Sequence, residues 1–255
     1  MAAAAPLALS DLLQRADLWR GDALGQVAEA RSTGFEALDA VLPGGGWPQG
    51  ALTELLLPSA GLGGGLGEVS LLMPALRALN ADAGWVVLVA PPWLPQAAAW
   101  QAAGQSLSRL LIVEAAGEDA AWASEQLLAS GAVAALLSWL PDSDARALRR
   151  LQLAMATRRT LAFVFRSEKQ ARAASPAPLR IALNAADSGL ALQVVKRRGP
   201  PLAQAVRLQV ARPVSWARLA ARHPLGVQAS PGVNLARSPA RARLPALVGA
   251  AALKR

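Results

Sequence analysis

A loop built largely of glycine, SAGLGGGLGEVS (59–70), joins the apolar run ALTELLLP (51–58) to an amphipathic stretch that begins near Glu68. Glycines between a buried strand and a helix let backbone N–H groups converge on one point, which the helix N-terminus reinforces. The chemistry this serves is the cradling of a phosphate. Triphosphate turnover needs more: a Lys that reaches the β- and γ-phosphates, and a Ser or Thr hydroxyl for Mg²⁺. Glu68 and Val69 stand at those two places, and a carboxylate at Glu68 repels a triphosphate. The first lysine in the chain is Lys169, and Gly61 and Gly67 are one residue too far apart for the working motif. Taken by its glycines alone (Gly61, Gly63, Gly64, Gly65 and Gly67) the run also reads as a structural turn, the commoner use of such loops.

Other site chemistries are bounded by composition. Cysteine is absent, which excludes disulfides, thiolate catalysis and zinc–thiolate sites. The single histidine, His223, cannot build a two-His metal site, and it reads as a solvated side chain. No nucleophile elbow, HExxH segment or paired-carboxylate arrangement is present, and no cofactor is expected. Six tryptophans, at 47, 85, 93, 100, 122 and 139, could stack on bases. Their apolar surroundings favour core packing, with Trp93 and Trp139 at strand ends the better site candidates.

Charge is unevenly placed. Residues 1–144 carry 5 basic and 15 acidic residues; residues 145–255 carry 21 basic and 2 acidic. Such polarity suits an anionic partner, most simply nucleic acid. Arg149, Arg150, Arg158 and Arg159 form either a solvated helix face or part of a DNA stripe.

The elements that must position these residues follow from periodicity. Residues 7–31 read as one or two short helices and 32–40 as another, while LPGGGWPQG (42–50) must be a loop. Strands are expected at 51–58, 84–91, 109–115, 132–140 and 160–166. Helices are expected at 68–80, 94–104, 118–131 and 144–159. Continuous apolar strands alternating with amphipathic helices predict an α/β fold, a mostly parallel sheet with helices on both faces. After Arg166 the pattern changes to a polar loop and three strands, two of them around a turn at 187–189 and the third at 204–210. This predicts a C-terminal antiparallel extension. Residues 211–255 hold five prolines, eight Lys or Arg and no acid, and read as an extended, largely disordered basic tail. Its end, LPALVGAAALKR, could form a short helix on a partner through Leu244, Leu247, Val248 and Leu253. The domain plan is therefore an N-terminal helical segment (1–31), a core (32–210) and a basic tail (211–255). No membrane span or signal peptide is expected, and a cytoplasmic, nucleoid-associated place fits.

The stretch STGFEALDAVLPGGGWPQGALTELLLP (32–58) resembles the opening of the RecA recombinase core. The resemblance continues through WVVLVAPPWLPQAAAWQAAG, RLLIVEA, EQLLASGAVAALLSWLP and LAFVFR to ALQVVKRRG, covering residues 32–210. Within that group the chain is similar to the ImuA family, through DLWRG (17–21), TGFEALD, LPGGGWPQG, TELL and the degenerate glycine loop. The family is labelled translesion-synthesis associated, and sometimes SulA-like.

The resemblance implies a RecA-like fold in which three ATPase elements are missing together. Besides the P-loop Lys and Thr, the catalytic carboxylate position holds Ala90, Pro91 and Pro92, and the metal-side aspartate position holds Ser138 and Trp139. The DNA loops shrink to PDSD (141–144) and SEKQARAASPAP (167–178). Basic residues persist at Arg166, Lys169, Arg172 and Arg180, and Lys196, Arg197 and Arg198 lie on the strand whose lysines, in RecA, reach a neighbour's ATP. These seven are the nucleic-acid-binding candidates. The implied function is a non-enzymatic accessory in SOS-induced translesion synthesis. Its implied partners are an ImuB-type polymerase-like protein and an error-prone C-family DNA polymerase, with RecA as a further candidate and DNA bound weakly and without sequence preference. The alternative is a regulator that binds RecA filaments or a cell-division protein.

Overall fold

The computed structural model describes residues 29–58, 65–81, 84–155, 159–186 and 189–210. The chain divides into two units, Met1–Pro213 and Val214–Arg255, and every described residue belongs to the first. The proposed tail, with Leu244, Leu247, Val248 and Leu253, lies outside the described residues, as do residues 1–28.

Ten strands and five α-helices alternate among the described residues. In chain order they are β1 (Ala30–Arg31), α1 (Glu36–Asp39), β2 (Trp47–Pro48), β3 (Ala51–Leu57), α2 (Glu68–Ala78), β4 (Trp85–Val89), α3 (Ala97–Ala102) and β5 (Leu110–Val113). Then come α4 (Gly117–Ser130), β6 (Val133–Trp139), α5 (Ala145–Met155), β7 (Leu161–Ser167), β8 (Leu179–Ala186), β9 (Gly189–Lys196) and β10 (Val206–Leu208). Eight strands form one sheet in the order β10-β9-β8-β3-β7-β6-β4-β5. From β8 to β5 all neighbours are parallel, and β9 and β10 add antiparallel at the β8 edge. This is the α/β sheet with a C-terminal antiparallel extension that the patterning predicts.

The strands read as continuous apolar runs because both faces are covered. Along β7, Leu161, Phe163 and Phe165 enter one core with Leu71, Leu72 and Leu76 of α2 and Trp100 of α3. The alternate residues Ala162 and Val164 enter a second core with Ala120 and Leu128 of α4 and Leu148 and Leu151 of α5. Connections run outward from β3 to β4 to β5 through α2 and α3, then return to β6 and β7 through α4 and α5. Right-handed crossovers that reverse direction must change face, which accounts for the two helix layers. Trp47 meets Phe163 edge-on at 5.2 Å in the first core.

Two short segments depart from expectation. Ala30–Arg31 is extended rather than helical, paired antiparallel with Trp47–Pro48, so the expected glycine-rich loop contains a two-residue strand. Backbone pairing overrides local propensity there: a side chain on Gly46 would meet the Arg31 carbonyl at 2.1 Å, so only glycine admits the approach. The helix expected at 94–104 shortens to Ala97–Ala102, and the one expected at 144–159 is described over Ala145–Met155. No helix among the described residues is long and apolar enough to cross a membrane.

Close approach also governs the antiparallel corner. A Cβ on Gly189 would lie 1.9 Å from the Leu208 carbonyl oxygen and 2.9 Å from the Val210 nitrogen. Gly189→Ala should therefore push β10 off β9 and lower stability by about 2 kcal/mol. The check is the urea midpoint, together with faster amide exchange confined to β9 and β10.

Candidate functional site

The glycine loop ends at the first turn of α2. Gly67 caps that helix with φ 106° and ψ 12°, a left-handed conformation open chiefly to glycine. Its N–H donates to Oε2 of Glu68 at 3.0 Å, and Glu68 is only 3% exposed. A helix N-terminus offers unpaired N–H groups and a favourable dipole to an anion. Here the anion is the chain's own carboxylate, folded back onto the loop. Gly65 is exposed with φ 94°, and half-buried Val69 follows Glu68 into the helix. Gly61, Gly63 and Gly64 lie outside the described residues.

Beyond the C-terminal ends of β4 and β6, where the strand order reverses, a cleft of about 870 Å³ opens between α2 and α3. Pro91, Pro92 and Trp93 form part of its wall, with Val69, Met73, Trp100 and Trp139. Ala90, just before them, has φ 53°. No carboxylate follows β4 at this end, and on β6 the corresponding place is taken by Ser138, fully buried and hydrogen-bonded to Ser124 of α4 at 2.8 Å. Trp139 stacks on Phe165 at 4.5 Å, and its buried indole N–H has no hydrogen-bond partner among the described residues. The cleft thus unites Trp93 and Trp139, the two better tryptophan candidates. Of the other four, Trp47 and Trp100 are buried, whereas Trp85 and Trp122 are 41% and 58% exposed, contrary to the core reading. Trp85 opens β4 and Trp122 lies on α4 itself.

Two of the seven nucleic-acid candidates move from the surface to the interior. Arg166 and Arg180 are 2% and 4% exposed, and both face Glu54 on the central strand β3. Arg180 Nε donates to Glu54 Oε2 at 2.9 Å and Arg166 Nη1 donates to the same oxygen at 3.4 Å, while Ser175 Oγ donates to Oε1. Other guanidinium donors of the two arginines hold loop carbonyls. Arg180 reaches Gln170, Ala171 and Ala173 at 2.7–3.1 Å, and Arg166 Nη2 reaches Ser143. Neither side chain can reach a phosphate backbone outside. They position instead the 141–144 loop and the 3₁₀ turn Glu168–Arg172, which presents Lys169 and Arg172 to solvent. Lys196 is exposed with Nζ donating to the Ser175 carbonyl at 2.9 Å, and Arg198 is exposed. Arg197 is tied to the carbonyls of Pro200 and Val41. Of the seven candidates the exposed ones are therefore Lys169, Arg172, Lys196 and Arg198.

Glu54 is the residue that reading by motif misses. Its signal is a lone acid inside ALTELLL, matched by single arginines inside LAFVFR and LRIAL. A charge inside a buried strand requires a buried partner. Arg150 pairs with Glu125 at 3.0 Å and Arg159 with Glu29 at 2.5 Å; both pairs are surface features, Arg149 is exposed, and Arg158 lies outside the described residues.

No protein-family model matches the chain, and no curated protein does. Among solved structures the chain is similar to SulA from Pseudomonas aeruginosa, at 28% identity and a TM-score of 0.37. That match covers 45% of this chain and 97% of that one.

Proposed function

We propose that the protein is a non-catalytic, RecA-like accessory of the ImuA type. It acts in SOS-induced translesion synthesis beside an ImuB-type polymerase-like protein and an error-prone C-family polymerase, in the cytoplasm at the nucleoid. The observation that carries the non-catalytic part is Glu68: its carboxylate accepts the Gly67 N–H at the helix end where a phosphate would have to bind. Phosphoryl transfer consists almost wholly of positioning and charge neutralisation. A loop without Lys or Thr, whose last glycine N–H is taken by a carboxylate, and strand ends carrying Ala90 and Ser138 in place of carboxylates supply neither. The accessory role is supported by the motifs at 17–21 and 32–58 and by the exposed basic set, which suits weak DNA binding without sequence preference. What remains of such a fold is a rigid platform for partners.

The test is a titration of the full chain with ATP and Mg²⁺. Millimolar ATP should shift the melting temperature by less than 1 °C, since a ligand that does not bind the native state adds nothing to stability. Phosphate release should stay at the level of a protein-free control. Micromolar affinity with Mg²⁺-dependent turnover would overturn the reading. A pulldown from damaged cells addresses the partners: polymerase subunits are expected, and recovery of RecA or a division protein instead would favour the regulator.

A further inference from the structure

The outermost parallel strand, β5, is the least covered element of the sheet. None of its four residues is buried, and among the described strands it pairs only with β4. Its outer row of N–H and C=O groups thus has no strand partner there, an arrangement that proteins usually cover or blunt with charge. Leu111 and Val113 are in register with Val87 and Val89, which belong to the core beneath α4 and α5. Helix α4 packs on β6 and β4 and leaves Leu111 40% exposed. On the outward face of α4 stands Trp122, 58% exposed.

From the C-terminal end of β5 into the first turn of α4 every charge is negative, while Arg109 stands just before the strand. From residue 110 to 130 the chain carries four acids and no basic residue. Glu125 is taken by Arg150, but Glu114, Glu118 and Asp119 are exposed, the last two one turn before Trp122. We propose that the β5–α4 edge is a docking surface for a cationic amphipathic segment of a partner protein. Its apolar side chains cover Leu111 and Trp122, and its Arg or Lys groups face Glu114, Glu118 and Asp119. Charge selects this occupant: nucleic acid is repelled, and a second copy presenting the same edge would set acid against acid. Trp122 beside carboxylates also suits an arginine, through cation–π contact. The surface deepens the accessory reading by naming the face a partner takes, yet it rests on edge geometry and charge alone. Its failure therefore leaves the ATP test untouched.

The probe is a synthetic 16-residue amphipathic peptide of Leu and Arg, with a Leu/Glu isomer as control, titrated calorimetrically into the full chain. The Leu/Arg peptide should bind and the isomer should not. Glu118→Arg with Asp119→Arg should weaken binding at least tenfold, as should Leu111→Asp. The same charge change placed elsewhere, Glu36→Arg with Asp142→Arg, should alter it less than twofold. Bound peptide should slow exchange of the Leu110–Val113 amides at least fivefold. Equal loss from both charge-reversal pairs, protection elsewhere than β5 and α4, or no binding at all would overturn the proposal.

Discussion

Glu54→Ala should lower stability by about 3–5 kcal/mol, the usual consequence of removing one partner from a buried ion pair. The cause is not the loss of attraction alone. The substitution strands two guanidinium groups, each at most 5% exposed, in a region where Arg166 Nε already has no partner among the described residues. For a domain of this size that corresponds to a fall in melting temperature of roughly 10 °C. The triple change Glu54→Met, Arg166→Met and Arg180→Met should recover most of the loss, because it removes the charges together with their desolvation. Urea unfolding of the three proteins measures this. Hydrogen exchange adds a local readout: the 168–175 segment should open in both variants, since the carbonyls of Gln170, Ala171 and Ala173 lose Arg180 in one and its anchor in the other. A loss below 1 kcal/mol in Glu54→Ala would mean that water reaches the cluster.

Binding to single-stranded DNA should fall about a hundredfold between 50 and 200 mM salt. Five exposed basic residues, Lys169, Arg172, Lys196, Arg198 and Arg207, are available on the antiparallel side of the described sheet. Each phosphate neutralised on a single strand contributes about 0.7 to the slope of log affinity against log salt, so five contacts predict a slope near −3.5. Lys169→Ala with Arg172→Ala should reduce that slope by about 1.4 and weaken all sequences alike. Fluorescence anisotropy on unrelated oligonucleotides is the measurement. A salt-independent affinity, or none at low salt, would assign the basic half to an acidic protein partner instead.

Much of the architecture was legible from periodicity because the local and global signals agree. Runs such as WVVLV and AVAALL are apolar at every position, as strands covered on both faces must be, and each leads into a 3.6-residue pattern. The turn before Gly189 announced the antiparallel extension. The places where expectation failed are those where a distant partner outweighs local preference. Ala30–Arg31 becomes a strand only because Trp47–Pro48 lies beside it. Arg166 and Arg180 looked like surface cations because a linear reading counts charges without knowing that Glu54, more than a hundred residues away, waits on the neighbouring strand.

By itself the amino-acid sequence determined which residue types stand at the candidate site. The proposed non-catalytic role turns on Glu68, Val69, Ala90 and Ser138, and no fold can supply at those positions a side chain that is not encoded. The sequence also determined the sheet class and the separation of acid from base along the chain. Tertiary structure alone decided where those charges act. Hydrogen bonding turned Glu68 from a repulsive loop residue into the ligand of its own helix end. Strand order set Arg166 and Arg180 over Glu54 as a buried clamp, and left β5 with its acidic, apolar border uncovered. The physical reason is that burial and pairing depend on which strands become neighbours, and strand order in a parallel sheet is not the order of the chain.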